Sequence, residues 1–223
     1  MIELFGISKT YKDRIHALED ITLKIDRGEF VFITGPSGAG KTTLLKIIFG
    51  TEPPTDGQMI IDGKNYFKIP PRELPFHRRR VGFIFQDFKL LFDRTVFENV
   101  ALSLRINGQG FDEIQKRVIK TLSYVRLQHR ANFRPDALSA GEQQRVSIAR
   151  AFVKEPLILL ADEPTGNLDP ELSYEIMDLF KDANVRGATV VVATHNRTLI
   201  ERMDKRAIVL KDGRVKRADG TSA

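Results

Sequence analysis

The stretch "GPSGAGKTT", residues 35–43, limits the folds open to this chain more than any other. It has the spacing G-x-x-x-x-G-K-[ST] through Gly35, Gly40, Lys41 and Thr42, between the apolar run "FVFIT" (30–34) and the helical run "LLKIIFG". A strand, a glycine-rich loop and a helix in that order make a phosphate cradle. The loop running from Gly35 through Pro36, Ser37, Gly38, Ala39 and Gly40 to Lys41, Thr42 and Thr43 is the expected binding surface for a nucleoside triphosphate. Glycines let successive amides curl around phosphate oxygens, Lys41 sets a cation between the outer two phosphates, and the Thr42 hydroxyl can ligate magnesium.

Two further apolar runs, "LILLA" (157–161) and "TVVVAT" (189–194), are continuous like "FVFIT", as strands covered on both faces of a parallel sheet are. The first runs into Asp162 and Glu163. A carboxylate at the strand end suits magnesium held through water, and its neighbour suits polarisation of an attacking water. By contrast, "IELFGISKTY" and "ALEDITLKID" alternate and predict an antiparallel layer, while Asp212 and Gly213 within "AIVLKDGRVKR" predict a hairpin. From about 96 to 154 the period turns helical, with Ile114, Val118, Leu122 and Val125 on one stripe and Val146, Ala149 and Phe152 or Val153 on another. The expectation is an α/β fold: a P-loop NTPase core with a mostly parallel sheet, an antiparallel β layer, and a helical subdomain inserted into one domain over 1–223. The last residues, "ADGTSA", read as a loose tail.

Composition narrows the partners. With 35 basic and 29 acidic residues, the charge of +6 suits an acidic ligand, nucleic acid or an anionic membrane surface. The basic patch "HRRR" (77–80) has no aromatics interleaved and reads as a solvated lead-in to the strand "VGFIF", so no nucleic acid is expected. The absence of cysteine excludes disulfides and thiolate metal sites and fits a reducing compartment. There is no signal-peptide pattern and no run of about 18 apolar residues to span a bilayer, so a soluble, cytoplasmic chain is expected.

A second helix start raises a separate question. In "LSAGEQQR" (138–145), Ser139 stands three residues ahead of Glu142, the capping-box spacing, and Gly141 leaves the backbone amides open to close approach. The feature is either a well-capped helix or the seat of another phosphate.

Taken in order, "GPSGAGKTT", "FIFQDF", "LSAGEQQR", "LILLADEPTGNLD" and "VVATHN" resemble the nucleotide-binding subunit of the ATP-binding cassette (ABC) superfamily, over essentially the whole chain. The resemblance implies a cofactor pair of ATP and Mg2+, with Gln86 touching magnesium, His195 holding the terminal phosphate beside Glu163, and Tyr11 stacking on adenine. It also implies a head-to-tail homodimer. Asn167, Leu168 and Asp169 then lie on the subunit boundary, and Ser139, Gly141 and Glu142 of one copy close over the triphosphate held by the other. The usual family form has glycine where this chain has Ala140. Singly, each residue has a plainer role: Gln86 a loop polar group, His195 a helix cap, Tyr11 packing at a strand end. Their joint occurrence favours the family.

Within the superfamily, "ADEPTGNLD" resembles the branch of lipoprotein-release and macrolide-efflux ATPases, and "LLFDRTVFENVALSL", above all "DRTV" (93–96), resembles its cell-division ATPases. That implies an integral membrane subunit, contacted by part of the cluster Phe88, Leu90, Leu91 and Phe92, which would hold the chain at the inner face of the membrane. Through it, ATP turnover would regulate enzymes that cut peptidoglycan. The nearer alternative is a transport ATPase of the same branch. A soluble cassette protein acting on DNA or ribosomes would carry paired cassettes or a coiled-coil insertion, and a phosphotransferase would not need the capped helix.

Overall fold

In the computed structural model, residues 67, 68, 167 and 219–223 are not described. Asn167 and the tail beyond Ala218 therefore lie outside the described residues.

Two sheets form the frame. One has four strands in the order β2-β1-β4-β5: β1 (Ile2–Thr10) pairs antiparallel with both β2 (His16–Ile25) and β4 (Asp56–Ile61), and β5 (Lys64–Asn65) extends the edge. This is the predicted antiparallel layer, and its alternation has the expected cause. Ile2, Leu4, Ile7, Ile21, Leu23 and Ile25 are buried while their neighbours face outward.

The other sheet has six strands in the order β10-β9-β3-β8-β7-β6. Its centre is parallel: β3 (Phe30–Thr34) lies beside β8 (Thr189–Ala193), which pairs with β7 (Ile158–Asp162), which pairs with β6 (Val81–Ile84). At the far edge, β9 (Arg206–Lys211) is parallel to β3 and turns through Asp212 and Gly213, both at positive φ, into antiparallel β10 (Arg214–Ala218). The continuous apolar runs are explained by covering on both sides. Phe30 and Phe32 enter one core, Val31 and Ile33 the other.

Helix α1 (Lys41–Phe49) packs in the second core with the antiparallel sheet. The first core holds α3 (Val96–Ile106), α4 (Phe111–Tyr124), α5 (Ala140–Phe152), α6 (Pro170–Val185) and α7 (Arg197–Met203). On α4 the stripe Ile114, Val118 and Leu122 is buried, and beyond α5 it is Val153, with Phe152 only half-buried, that completes the inner face. Helix α6 is amphipathic, begins at an Asp169 cap followed by Pro170, and lies outside the elements foreseen from the sequence.

The "HRRR" patch differs from expectation. It closes a short helix, α2 (Leu74–Arg80), and is not solvated throughout. His77 is buried edge-on to Tyr66 with Nε2 3.1 Å from the Ile48 carbonyl, and burial holds its pKa down at about 4. Arg80 pairs with Asp62 at 2.6 Å. Among the described residues, no helix is long and apolar enough to cross a membrane.

Candidate active site

Four neighbouring parallel strands deliver polar groups beyond their carboxyl ends, where open α/β sheets collect ligands. The loop Gly35–Gly40 follows β3, Gln86 follows β6, Asp162 ends β7 with Glu163 next, and His195 follows β8. Backbone bonds align these ends: the Glu163 amide donates to the Ala193 carbonyl at 2.9 Å and the Thr194 amide to Ile33 at 3.0 Å. Glu163 itself sits at φ 46°, a strained setting for a non-glycine residue that is fixed by its neighbours.

Beside these groups lies a cleft of about 520 Å³ lined by the phosphate loop from Pro36 to Thr43, Gln86, Glu163 and His195, together with Tyr11, Ile15, His16 and Ala17. Glycine is required where the loop meets the frame. A Cβ on Gly35 would stand 2.0 Å from the Leu210 carbonyl oxygen, and one on Gly40 would stand 2.5 Å from that of Ala17, both at positive φ. Lys41 is 8% exposed, and its ammonium donates to the carbonyls of Gly35 and Pro36 at 2.9 and 3.1 Å. That tether centres a cation within the loop, with Glu163 Oε1 at 3.8 Å as its nearest carboxylate.

Thr42 follows on the first turn of α1, and its hydroxyl donates to Asp162 Oδ1 at 3.1 Å. Asp162 is 4% exposed, so burial raises its pKa above the ordinary carboxyl value, reinforced by the adjacent Glu163 and opposed by the Thr42 bond and by Lys41. Glu163 has one oxygen 2.9 Å from His195 Nδ1 and the other, Oε2, buried without a hydrogen-bond partner among the described residues. A hydroxyl, a buried carboxylate and the amide of Gln86 are hard oxygen donors of the kind magnesium takes. The buried Asp162 carboxyl and the unpartnered Glu163 Oε2 fit a divalent cation and its bound water.

None of Ser139, Gly141, Glu142 and Asp169 lines this cleft. Ser139 is the N-cap of α5: its Oγ accepts from the Glu142 amide at 3.3 Å, and Glu142 Oε2 accepts from the Ser139 amide at 2.9 Å. Arg130 holds the other Glu142 oxygen at 3.0 Å. The Ser139 backbone bond, with help from Arg130, keeps the Glu142 carboxyl below its usual range, so a fixed anion completes the cap. Ser139 and Ala140 are exposed, and Ala140 takes an ordinary helical conformation, so alanine brings no backbone penalty there. Gly141 is buried, and a Cβ there would lie 2.4 Å from Cδ2 of the half-buried Leu172 on α6. Asp169 is exposed and caps α6 by accepting from the Leu172 amide at 2.8 Å, while Leu168 is half-buried against the first core.

Several residues with a part in the site carry no motif signal. Ile15, His16 and Ala17 reach the cleft only because β2 folds back on β1. Gln144, inside the "LSAGEQQR" stretch, donates to the Pro164 carbonyl at 2.7 Å and so ties α5 to the turn after Glu163.

Residues 18–166 match the family described as ABC transporter. The chain belongs to the ABC transporter family. As an ABC ATP-binding subunit it is an ATPase. The ABC chain is 50% identical over 213 residues to the cell division ATP-binding protein FtsE of Bacillus subtilis, covering 96% of this chain and 93% of that one. Among solved structures, this ABC fold matches a dimeric bacterial ABC transporter cassette with a TM-score of 0.93 and 42% identity, both chains covered over 100%. A dimeric post-hydrolysis cassette bound to ADP and Pi matches with a TM-score of 0.92 and 41% identity, again over 100% of both chains.

Proposed function

We propose that this chain is the ATP-hydrolysing subunit of a membrane complex in which two copies close head to tail on two ATP molecules. One observation carries the reading: the chain holds a cleft with the phosphate loop and, outside it, an exposed capped helix start at Ser139 that takes no part in that cleft. Two half-sites that do not meet within one copy are completed by a second. Likeness to cassettes solved as dimers supports it.

In this reading, the loop from Gly35 to Thr43 and Lys41 bind the phosphates and Tyr11 takes the base. Thr42, Asp162 and Gln86 would hold magnesium, which when bound supplies positive charge to the phosphate oxygens. Glu163 orients water, and His195, 2.9 Å from it through Nδ1, would hold the terminal phosphate. Ser139 and the amide of Gly141, backed by the positive end of α5, close on the same phosphate from the second copy, with Asp169 at the boundary. Cleavage of that phosphate removes the charge that both copies hold, and the pair opens.

The membrane subunit is proposed to be FtsX-like, and the chain to work at the cytoplasmic face of the membrane, regulating peptidoglycan hydrolysis during cell division. Identity of 50% to FtsE over nearly the full chain supports this, as does the exposed pair Leu91 and Phe92, which follows Gln86 by five and six residues. A transport role in lipoprotein release or efflux has the 42% identity to a transporter cassette in its favour.

The test uses the Glu163→Gln variant bound to its membrane subunit in saturating Mg·ATP. Because the chain has no cysteine, a Ser37→Cys, Ser139→Cys pair reports composite sites as inter-copy crosslinks that need ATP. Absence of those crosslinks overturns the reading.

A further inference from the structure

The segment between β6 and α3 is strained and braced. Phe88 and Lys89 are consecutive non-glycine residues at φ 57° and 50°, a setting that side chains with a Cβ adopt only when something outside the turn holds it. One side chain does so. The Arg150 guanidinium, reaching from α5, donates through Nη1 to the Lys89 carbonyl at 2.5 Å and through Nη2 to the Phe88 carbonyl at 2.6 Å. Burial lowers the Arg150 pKa, and among the described residues no carboxylate pairs with it. A half-buried cation bonded to two carbonyls and to no carboxylate among the described residues is a costlier way to fill space than an apolar side chain of the same length. The planar fork, with two donors at fixed spacing, is what matches two successive carbonyls.

The rest of the segment is tied to α3, and through the Arg130 turn to α5. Fully buried Asn99 accepts from the Leu91 amide at 2.8 Å and donates to the Leu91 carbonyl at 2.9 Å, which fixes the base of exposed Leu91 and Phe92. At the start of α3, the amides of Val96 and Phe97 donate to the carbonyls of Phe133 and Ala131, both at 2.8 Å, and Arg130 of that turn grips Glu142. Helix α5 thus braces the segment at both ends, through Glu142 near its start and Arg150 near its end. Gln86, which lines the cleft, lies two residues before the turn that Arg150 holds.

We propose that Arg150 is a positioning residue that couples three places: the exposed Leu91 and Phe92, the Gln86 edge of the cleft, and the Ser139 start of α5. A displacement of the exposed pair is passed through the Arg150 fork to α5 as a unit, so that docking of a partner and closure of the capped helix over nucleotide move together. This deepens the proposed membrane role and rests on it.

Two measurements test it. In the complex with the membrane subunit, Arg150→Met should keep the KM for Mg·ATP within about twofold while lowering partner-stimulated kcat about tenfold, with Arg150→Lys between. Combining Arg150→Met with Phe92→Ser should add little further loss, because both cut one path. In the isolated full chain, spin labels on Asp87→Cys and Asp136→Cys should give a narrow distance distribution that Arg150→Met broadens. An unchanged distribution, additive losses, or a parallel fall in unstimulated and stimulated turnover would each overturn the coupling role. Lack of stimulation in the wild-type complex would instead count against the membrane reading, and the label distances would still decide the Arg150 fork.

Discussion

His195 Nδ1 and Glu163 Oε1 stand 2.9 Å apart, although the two residues come from the ends of different strands and are 32 positions apart in the chain. The pairing fixes one Glu163 oxygen and leaves Oε2 buried without a hydrogen-bond partner among the described residues, which suits the proposed role of a water-orienting base. Glu163→Gln keeps the shape and the contact but removes the charge. It should retain ATP binding, stop steady-state turnover by at least a hundredfold, and accumulate the closed dimer in size-exclusion runs with ATP. Rapid turnover by this variant would remove Glu163 from the role.

Asp162 makes a prediction with a sign. Burial raises its folded-state pKa above the ordinary 3.8, so the folded chain binds that proton more tightly than the unfolded chain. Its favourable contribution is complete below the unfolded carboxyl's range and is lost as pH rises through the folded pKa. At pH 7 without magnesium, Asp162→Asn should therefore raise Tm, by about 2–4 °C for each ~1 kcal/mol regained, while abolishing hydrolysis. The gain should shrink as pH falls below the folded pKa. Magnesium with ATP should stabilise the wild type more than the variant. Calorimetry across pH checks all of these.

Ser139 carries two tasks that substitution can separate. Loss of its capping bond in Ser139→Ala should cost about 1 kcal/mol of stability, whereas Ser139→Thr keeps an oxygen for the Glu142 amide. Nucleotide affinity of the isolated subunit should stay within about twofold for the alanine variant, because Ser139 does not line its own cleft. Dimer-dependent hydrolysis should fall about tenfold or more. A fall in isolated-subunit affinity would mean that the helix cap supports the cleft within one copy.

The aromatic cluster divides by burial. Phe92 is 55% exposed and Leu91 40%, while Leu90 is buried and Phe88 is half-buried against the first core. Leu91→Ser with Phe92→Ser should leave Tm within about 2 °C and abolish co-purification of the membrane subunit. Phe88→Ser should instead cost about 2 kcal/mol or more through lost packing. Intact co-purification after the paired change would move the docking face elsewhere.

Lys41 tests the cradle directly. Its ammonium is held by two loop carbonyls, so Lys41→Ala removes the cation without removing a core side chain. Affinity for ATP should fall about a hundredfold, roughly 3 kcal/mol, as read by titration with a fluorescent analogue.

Wherever chemistry is local in the chain, the amino-acid sequence was sufficient. The phosphate loop, the apolar period of the strands, the Asp162–Glu163 pair and the capping box at Ser139 follow from period, glycine spacing and side-chain type, because each is carried by residues a few positions apart. What depended on packing between distant segments was not legible. Leu172 lies against Gly141 from α6, His77 is buried against Tyr66, and Arg150 reaches 61 and 62 positions back to hold Lys89 and Phe88. A single arginine on a helix carries no mark of its partners. Only the tertiary structure, which stacks α5 against the strained segment, gives that side chain two carbonyls to hold and so gives it something to do.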